Sequence, residues 1–477
     1  MTRSVKLIGL DFGTTTSSAV AASAELAQNA VSGRSELSQL RECYRSEMIF
    51  TPLRGEELDL DQLETHLDEW LSASGVRPDE IFGGGALLTG LTAQNKNADG
   101  LVRLVERRLG DALIAAADDP CFESWLAFMG SCAGLSRSHP EMPIINLDIG
   151  GGTTNLALGR NGEVLRIGCL FVGARHVQVE PGTYRIVKLS SYATQLFAEL
   201  GIQKAVSDSL TPTEVDRILD FYLNLLVASV SGDAEPFQNP VARLHQQVPF
   251  RLPPLAVAPV VTLSGGVGEL VYSHLSGRPW PTTTYYGDLG IDLAQRLVGV
   301  REWADHFRTC VPAGGGRATV YGLLRHSTQV SGNTLFLPNP DVLPLRNVPI
   351  FGSISPLSTD DEICHGLELV RRSGQGGCLS VRLPLEEDSR VRELGGRIAR
   401  LLRDDAFPAS TPLVLLVDRN LGKALGHCVT DWGRLACNVV VIDEIAFRHA
   451  QFLQIGRLQN QVVPVSFHGM NETDRRN

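Results

Sequence analysis

The sequence predicts an α/β protein built of two related lobes and a further α/β module at the end of the chain. The lobes are predicted because an apolar strand, an acidic turn rich in glycine and threonine, and a second strand follow one another twice, starting near residues 5 and 142. The module is predicted because glycine motifs become sparse after about residue 345, where short strands and helices alternate. The expected boundaries are therefore 1–140, 141–340 and 341–477, at ~100–200 residues per domain.

Local patterns define the elements of the first lobe. In order, they are strands at 5–10 and 19–22, a helix at 60–74, a strand with three glycines at 81–90, and a helical region at 101–135 broken near 118–120. The helix at 60–74 is predicted from Leu63, Leu67 and Trp70, which recur at helical spacing and would share one buried face.

Similar patterns define the rest of the chain. The pair Asn161-Gly162 predicts a β-hairpin, and Thr211 or Thr213 is the expected N-cap of an amphipathic helix. The other expected elements are that helix at 211–230, glycine-rich turns and strands at 281–300 and 314–337, a helix near 385–403, and strands at 413–417 and 438–443. The polar tail after residue 467 is expected to fray.

Charge and cysteine content exclude several classes of protein. The formal charge is −10, from 53 acidic and 43 basic residues, and there is no basic run of the kind that binds nucleic acid. The nine cysteines form no C-x-x-C pair, which argues against a disulfide framework, a structural zinc site and an iron–sulfur centre. No apolar run reaches the ~18 residues of a membrane span. We expect a cytoplasmic protein with reduced, buried thiols and neither a nucleic-acid partner nor a membrane.

Glycine is in excess, at 47 of 477 residues. It clusters at 13, 83–85, 150–152, 265–268 and 314–316. We expect most of these positions at strand ends, where bare backbone can approach a ligand closely. No P-loop pattern occurs, so a Walker-type phosphate site is excluded.

The two acidic turns predict a phosphate site. The first consists of Asp11, Gly13, Thr14, Thr15 and Thr16, and the second of Asp148, Gly150, Gly151, Gly152, Thr153 and Thr154. Glycines let backbone N–H groups face phosphate oxygens, threonine hydroxyls add donors, and aspartate is a hard oxygen ligand for hydrated Mg²⁺. Two such turns facing each other would hold the β- and γ-phosphates of a nucleotide. For each cluster taken alone, an ordinary tight β-turn is the alternative.

A third glycine cluster has no ionic ligand in its turn. It follows an apolar strand and contains Gly265, Gly266, Val267 and Glu269. A glycine pair at such a point suits close packing of the backbone against a flat ring and a ribose.

The order of the three clusters resembles that of the actin/Hsp70/sugar-kinase ATPase superfamily. This resemblance implies an actin-like ATPase fold, with two ribonuclease H-like lobes and ATP-Mg²⁺ in the cleft between them. The segment around Glu123 resembles the connecting helix of that superfamily, whose glutamate helps to hold Mg²⁺ and water. A solvated carboxylate on a helix is the alternative for Glu123.

From Asp11 to Phe467 the sequence is similar to the ethanolamine ammonia-lyase reactivating factor family, EutA. The stretches that carry this resemblance include DFGTTTSSAV, NLDIGGGTTNLAL, TLSGGVGE, RATVYG, PLRNVPI, GKALG and VVVIDE. The resemblance implies a chaperone-like ATPase that releases damaged cobalamin from the lyase and admits intact adenosylcobalamin. Its partners would be the lyase and ATP, with Mg²⁺ as cofactor and adenosylcobalamin handled through the lyase. Association with a bacterial microcompartment is left open.

The resemblance also implies residue roles. Asp11 and Asp148 would place Mg²⁺ and the attacking water, with Glu123 as a third carboxylate. Residues 14–16 and 150–154 would cradle the phosphates, while Gly265, Gly266, Val267 and Glu269 would border the nucleoside.

Some residues depart from the family pattern or lie outside these roles. Leu91 and the pair Leu323-Leu324 replace usual family residues, which puts nucleotide affinity or partner contact in doubt. Lys423 is expected to be a surface lysine at a helix start, and His326, after the supposed RATVYG strand, to have a core or cap role. The alternatives are an actin-like filament protein and a sugar or carboxylate kinase, which would need a catalytic aspartate in a G-x-x-x-D context that we do not find convincingly.

Overall fold

The computed structural model describes residues 3–28, 35–55, 57–89, 92, 96–109, 113–115, 119–383, 389–404, 407–459 and 461–470. Three large β-sheets follow one another along the described chain, and helices cover them. The predicted strands and helices mostly occur where they were expected, with the exceptions given below.

The first sheet is built from the amino-terminal part of the chain. Its region contains β1 (Arg3–Phe12), β2 (Thr16–Gln28), β3 (Ser35–Arg45), β4 (Ile49–Phe50), β5 (Leu53–Arg54), β6 (Glu57–Leu58), α1 (Leu60–Ser74), β7 (Ile81–Leu88), α2 (Ala98–Leu109) and β8 (Leu113–Ala115). The strand order is β3-β2-β1-β7-β8, with β1 antiparallel to β2 and parallel to β7. Helix α1 packs its predicted face against the sheet through Leu63, Leu67 and Trp70, which confirms that helix.

Two features of this region differ from the prediction. A strand, β8, lies inside the region predicted to be helical, because it extends the sheet alongside β7. Glycines 83–85 lie within β7 and not at a strand end. Gly84 has a φ of +85°, and a Cβ there would collide with the carbonyl oxygen of Ile8 on β1. This cluster therefore serves strand packing.

The second sheet follows two helices that connect it to the first. The elements are α3 (Pro120–Ser131), α4 (Ala133–Ser138), β9 (Ile144–Ile149), β10 (Thr154–Arg160), β11 (Glu163–Leu170), β12 (Val177–Val179), β13 (Ile186–Leu189), α5 (Ser191–Glu199), α6 (Pro212–Ser231), α7 (Pro240–Leu244), β14 (Gln246–Val248), β15 (Val260–Ser264), α8 (Gly265–Leu275), α9 (Gly290–Val298) and α10 (Arg301–Thr309). The strand order is β14-β11-β10-β9-β15, with β9 antiparallel to β10 and parallel to β15.

The two sheets therefore repeat one topology: three antiparallel strands, with a parallel strand added beside the first. This repetition confirms the predicted actin-like, ribonuclease H-like pair of lobes. The hairpin between β10 and β11 turns at Asn161-Gly162, both with positive φ, as predicted. Helix α6 is capped by Thr211, whose hydroxyl accepts from the N–H of Glu214 in a capping box.

Two segments predicted as glycine-rich turns and strands are partly helical. The segment at 281–300 begins with turns but continues as α9, Gly290–Val298, and not as a strand. In the segment at 314–337, α11 (Ala318–Gly322) continues into a π-helical stretch, Leu323–Ser327, and the predicted strand is present only at Thr328–Val330. The RATVYG sequence is misread as a strand because this short helix is buried on several sides and shows no amphipathic period. Glycines allow the close crossing of α11 and α3, because a Cβ on Gly322 would collide with the carbonyl of Leu126, and one on Gly130 with that of Ala318.

The third sheet contains β16 (Thr328–Val330), β17 (Leu345–Ile354), β18 (Gly377–Val381), β19 (Leu413–Val417), β20 (Val439–Ile442), β21 (Ala450–Ile455) and β22 (Pro464–Met470), with helices α12 (Asp360–Ser373), α13 (Ser389–Asp404) and α14 (Gly422–Val429). The order is β16-β22-β21-β17-β18-β19-β20, and β17 to β20 run parallel. Strands β19 and β20 and helix α13 were predicted. The first strand of this sheet, β16, lies before residue 341, where the third module was expected to start. The boundaries 1–140, 141–340 and 341–477 stay a prediction.

The cysteines and the tail complete the comparison with the sequence. All nine cysteines are thiols and not disulfides, but the expectation that they are buried holds only for Cys121, Cys132, Cys169 and Cys378. Cys43 is exposed, and the other four are half-buried. Residues 468–470 of the supposed tail belong to β22, and residues 471–477 lie outside the described chain.

Candidate functional site

The two acidic turns close in the same way. In the first acidic turn, between β1 and β2, the N–H of Gly13 donates to the carbonyl of Thr16 at 3.0 Å. In the second acidic turn, between β9 and β10, the N–H of Gly150 donates to the carbonyl of Thr153 at 2.9 Å. The repeated sequence therefore produces a repeated backbone geometry, with an aspartate two residues before the first glycine.

The structure brings these two turns against each other. A Cβ on Gly151 would overlap Thr15 Oγ1, so the tip of the second turn lies directly on the hydroxyl of the first. Turns from two separate sheets thus meet at their tips, and a phosphate site between them stays a prediction.

Asp11 lies at the end of β1, where two hydroxyl groups hold its carboxylate. Thr89 Oγ1 donates to Asp11 Oδ1 at 3.2 Å, and Thr319 Oγ1 donates to Oδ2 at 3.0 Å. Burial raises the pKa of Asp11 to about 6, and the two hydrogen bonds oppose this shift. Thr319 belongs to α11, so a distant part of the chain orients this carboxylate.

Asp148 occupies the equivalent place at the end of β9 and is only 7% exposed. Ser264 Oγ, at the end of β15, donates to Asp148 Oδ1 at 2.5 Å. Asn146 Nδ2 donates to Ser264 Oγ at 2.8 Å and fixes that hydroxyl. Burial, together with the charge of Asp11, raises the pKa of Asp148 to about 6, while the bond from Ser264 lowers it.

Glu123 joins these two carboxylates from the first turn of α3. The side chain of Asp119 caps this helix by accepting from the N–H of Phe122 at 2.9 Å. Burial, followed by the charges of Asp11 and Asp148, raises the pKa of Glu123 well above its usual range, and a hydrogen bond with Asn155 opposes this. The structure therefore brings the three predicted carboxylates within electrostatic reach of one another.

The carboxylates of the site suit a magnesium ion whose other ligands are mainly phosphate oxygens and water. Among the described residues, no group of three or more histidine, cysteine or acidic side chains forms a ready-made metal cage. Mg²⁺ usually binds through one or two carboxylates, substrate phosphates and several waters. Asp11 and Asp148 fit that pattern.

The third cluster starts a helix and does not form a loop. Gly265, with a φ of +75°, opens α8 directly after β15, and a Cβ there would meet the carbonyl of Ile149 at 2.5 Å. Gly266 has open space around its Cβ position. Val267 is buried and packs into the core of its lobe. Of the predicted nucleoside residues, Val267 therefore points into the core.

Glu269 lies one turn further along α8 and lines a cavity of about 510 Å³. The other residues lining this cavity are Glu42, Arg45, Met48, Ala313, Gly314, Gly315, Gly316, Arg317, Tyr321 and Arg325. The guanidinium carbons of Arg45 and Arg325 lie 5.9 and 5.2 Å from the ring centroid of Tyr321. A cavity with an aromatic wall, cations and bare glycine backbone thus adjoins the predicted nucleoside residue.

Several residues of the site are missed by sequence reasoning. They are Thr89, Thr319, Ser264, Asn146, Asn155, Arg175 and His176. His176 is fully buried, and its Nε2–H donates to the carbonyl of Gly152 at 2.8 Å, while Nδ1 accepts from Ser190 Oγ. Burial lowers the pKa of His176 to about 4, so the neutral ring supports the second acidic turn. Thr319, Ser264, Asn146 and Asn155 lie in stretches that the sequence marks, RATVYG, TLSGGVGE and NLDIGGGTTNLAL, but no local pattern gave them a role in the site.

The remaining predicted residues lie away from the carboxylates. Lys423 is exposed at the start of α14, as expected. His326 is half-buried in the π-helical stretch, and burial, with the charges of Arg137, Arg448 and Arg325, lowers its pKa to about 4. Leu323 and Leu324 are buried core residues, whereas Leu91 lies outside the described chain.

Comparison with known proteins identifies the family. The family model of "Ethanolamine utilisation protein EutA" matches residues 3–470. The chain is 29% identical over 476 residues to "Ethanolamine ammonia-lyase reactivase EutA" of Escherichia coli (strain K12) and 28% identical to the protein of the same name in Salmonella typhimurium (strain LT2), with 98% of each chain covered in both cases.

Solved structures are more distant. A Ppx/GppA phosphatase of Aquifex aeolicus has a TM-score of 0.32 at 15% identity, over 67% of this chain and 88% of its own. MreB5 of Spiroplasma citri bound to ADP has a TM-score of 0.27 at 15% identity, over 64% of this chain and 98% of its own. Within the described residues, no helix is long and apolar enough to cross a membrane. The match over residues 3–470 places the chain in the family of the ethanolamine utilisation protein EutA.

Proposed function

We propose that this chain is a chaperone-like ATPase that reactivates inactivated, adenosylcobalamin-dependent ethanolamine ammonia-lyase. In this proposal, ATP binding and hydrolysis change the shape of the protein on the lyase, damaged cobalamin leaves, and intact adenosylcobalamin enters. Membership of the EutA family and the names of the two curated relatives support the choice of partner.

One observation carries the ATPase part of the proposal: the two acidic turns face each other with a carboxylate at the base of each. The backbone N–H groups and hydroxyls of residues 13–16 and 150–154 would bind the β- and γ-phosphates from opposite sides. Asp11 and Asp148 would hold Mg²⁺, which supplies charge neutralisation to the phosphates. The nucleoside would lie towards Gly265, Gly266 and Glu269, beside the cavity that Glu269 lines.

The raised pKa values suit the carboxylates to a proton-transfer step. A group that transfers protons works best when its pKa lies near the working pH. Asp11 and Asp148, with pKa values raised to about 6, are ionised at neutral pH and can therefore attract Mg²⁺. Together with Glu123, they would orient the attacking water, and a carboxylate that is not bound to the cation would accept its proton.

The architecture also offers a way for nucleotide binding to change the shape of the protein. A ligand drives a conformational change only by binding two states differently. The site is divided between two lobes joined by α3 and α11, so phosphate held by both turns favours the closed arrangement. Loss of the γ-phosphate would weaken that clamp and let the lobes move against the bound lyase.

The decisive experiment is a reactivation assay. Ethanolamine ammonia-lyase is inactivated by turnover and then given the protein, ATP, Mg²⁺ and adenosylcobalamin, and deamination of ethanolamine is followed. Turnover should return with ATP and stay absent with a non-hydrolysable analogue. If a lyase shown to be competent with fresh cofactor stays inactive, or if the γ-phosphate is found on a small molecule instead of in solution, the proposal is wrong.

A further inference from the structure

Arg175 is built into the second acidic turn through its backbone. Its N–H donates to the carbonyl of Gly151 at 2.6 Å, and the N–H of Ala174 donates to that of Gly150 at 3.1 Å. Gly173 must lack a side chain because a Cβ there would lie 2.5 Å from the Gly151 oxygen. The loop after β11 therefore lies directly against the second acidic turn, and this contact fixes the position of the Arg175 backbone.

The side chain of Arg175 then runs along the junction of the two turns. Its Cγ and Cδ each lie 3.4 Å from the Cβ position of Gly151, the same position that Thr15 Oγ1 overlaps. A cationic side chain thus reaches the point at which the first and second acidic turns meet.

The polar atoms at this junction are buried and unsatisfied. Arg175 Nε and Thr15 Oγ1 both lack a hydrogen-bond partner among the described residues. No described carboxylate forms an ion pair with Arg175 within 4.0 Å; Asp288 acts on it only through space and accepts instead from the N–H of Gly290. A buried donor without a partner is costly, and Arg175 Nε belongs to a cationic group, so an anion bound at this junction would satisfy it.

We propose that Arg175, together with Thr15, binds the terminal phosphates of the nucleotide. This assignment rests on the proposed ATPase function and adds a positive side chain to a site whose predicted residues supply only carboxylates, hydroxyls and backbone. Arginine suits the role because its planar fork of donors matches phosphate oxygens and keeps its charge when buried.

The proposal is tested by removing the guanidinium and measuring nucleotide binding by calorimetry. Arg175→Met should weaken ATP binding about 10- to 100-fold, the effect of losing a charged hydrogen bond, while AMP, which lacks the terminal phosphates, binds as before. Thr15→Val should weaken ATP binding in the same direction by less. Arg185→Met, an exposed arginine of the same lobe, is the matched control and should change neither affinity.

The stability of the nucleotide-free protein separates a binding role from a packing role. If Arg175 serves to bind an anion and its guanidinium does not stabilise the free protein, the Arg175→Met variant keeps or raises the Tm of the free protein. The variant then loses much of the ATP-induced rise in Tm. A lowered Tm with ATP and AMP affinities falling in parallel would instead reveal a structural role and overturn the proposal. So would wild-type ATP affinity in the variant, whereas a wild-type protein that binds no ATP would overturn the proposed function itself.

Discussion

The first and second acidic turns share a sequence pattern and a backbone hydrogen bond, yet their carboxylates are held by different parts of the molecule. Asp148 is held by Ser264, which lies on the neighbouring strand of its own sheet. Asp11 is held by Thr89 and by Thr319, and Thr319 belongs to α11, which leads out of the lobes into the third sheet. The second turn is thus supported locally, whereas the first is connected to a distant region.

This difference gives the first acidic turn, and not the second, a contact with the part of the chain that leads into the third sheet. After α11, the chain enters β16, where Thr328 Oγ1 accepts from the N–H of Gly84 in the first sheet at 3.1 Å. The third sheet also contacts the helix that carries Glu123, because the carboxylate of Asp119 accepts from the N–H of Met470 at 3.1 Å as well as capping α3. The elements that carry Thr319 and Glu123 therefore both contact the third sheet or lead directly into it.

The largest expected effect is loss of hydrolysis when either carboxylate is neutralised. Asp11→Asn and Asp148→Asn should each lower the rate of phosphate release from ATP by about 100-fold or more, because the amide is a neutral, weaker cation ligand and cannot accept a proton. Phosphate release is measured at saturating ATP and Mg²⁺. Asp220→Asn, which alters an exposed aspartate of the same lobe, is the control.

Unfolding is not the expected cause of that loss. The folded pKa of Asp148 lies above the unfolded value of 3.8, so its carboxyl contributes stability when protonated, at low pH, and this contribution is lost as the pH rises through about 6. At neutral pH, Asp148→Asn should therefore not lower the Tm of the free protein. Wild-type rates in both variants would show that the two turns do not form the hydrolytic site.

The next effect distinguishes two adjacent glycines of the second turn. Gly151→Ala should cost about 1–3 kcal/mol of stability or an equivalent part of the ATP affinity, because its methyl group would overlap Thr15 Oγ1 and push the turns apart. Gly150→Ala should cost about 0.5 kcal/mol or less, since only the carbonyl of Thr153, at 3.7 Å, lies near its Cβ position. Urea unfolding and ATP titration measure both. Equal effects would mean that the turns do not touch in solution.

These glycines also show which features of the site can be predicted from neighbouring residues and which depend on distant contacts. Strand, acidic turn and strand are local patterns, so both turns and the repeated lobe topology are predictable from neighbouring residues. The requirement at Gly151 comes from Thr15, on another sheet, and no local pattern contains it. The same limit hides Ser264 and Thr319, which are ordinary hydroxyl residues until the fold places them on a carboxylate.

Errors of element type have a related physical cause. Helix α11 is buried on several sides, so its apolar residues lack the 3.6-residue period and resemble a strand. Strand β8 is short and lies within a sequence of good helix formers, where sheet pairing overrides local preference. Both errors concern segments whose structure is decided by what they pack against.

The smallest expected effect is a shift in the pH profile of ATP hydrolysis when a hydroxyl donor to one of the two carboxylates is removed. Activity requires ionised carboxylates, so the kcat/KM for ATP should fall as the pH drops through about 6. Ser264→Ala removes the hydroxyl donor that lowers the pKa of Asp148 and should move this acid limb upward by about 0.5–1 pH unit. Thr319→Val should move it by less, because Thr89 continues to donate to Asp11. Each variant is compared with wild type in the same buffers, so the titration of ATP itself cancels. A larger shift for Thr319→Val would mean that α11, and not the local hydroxyls, controls the ionisation of the site.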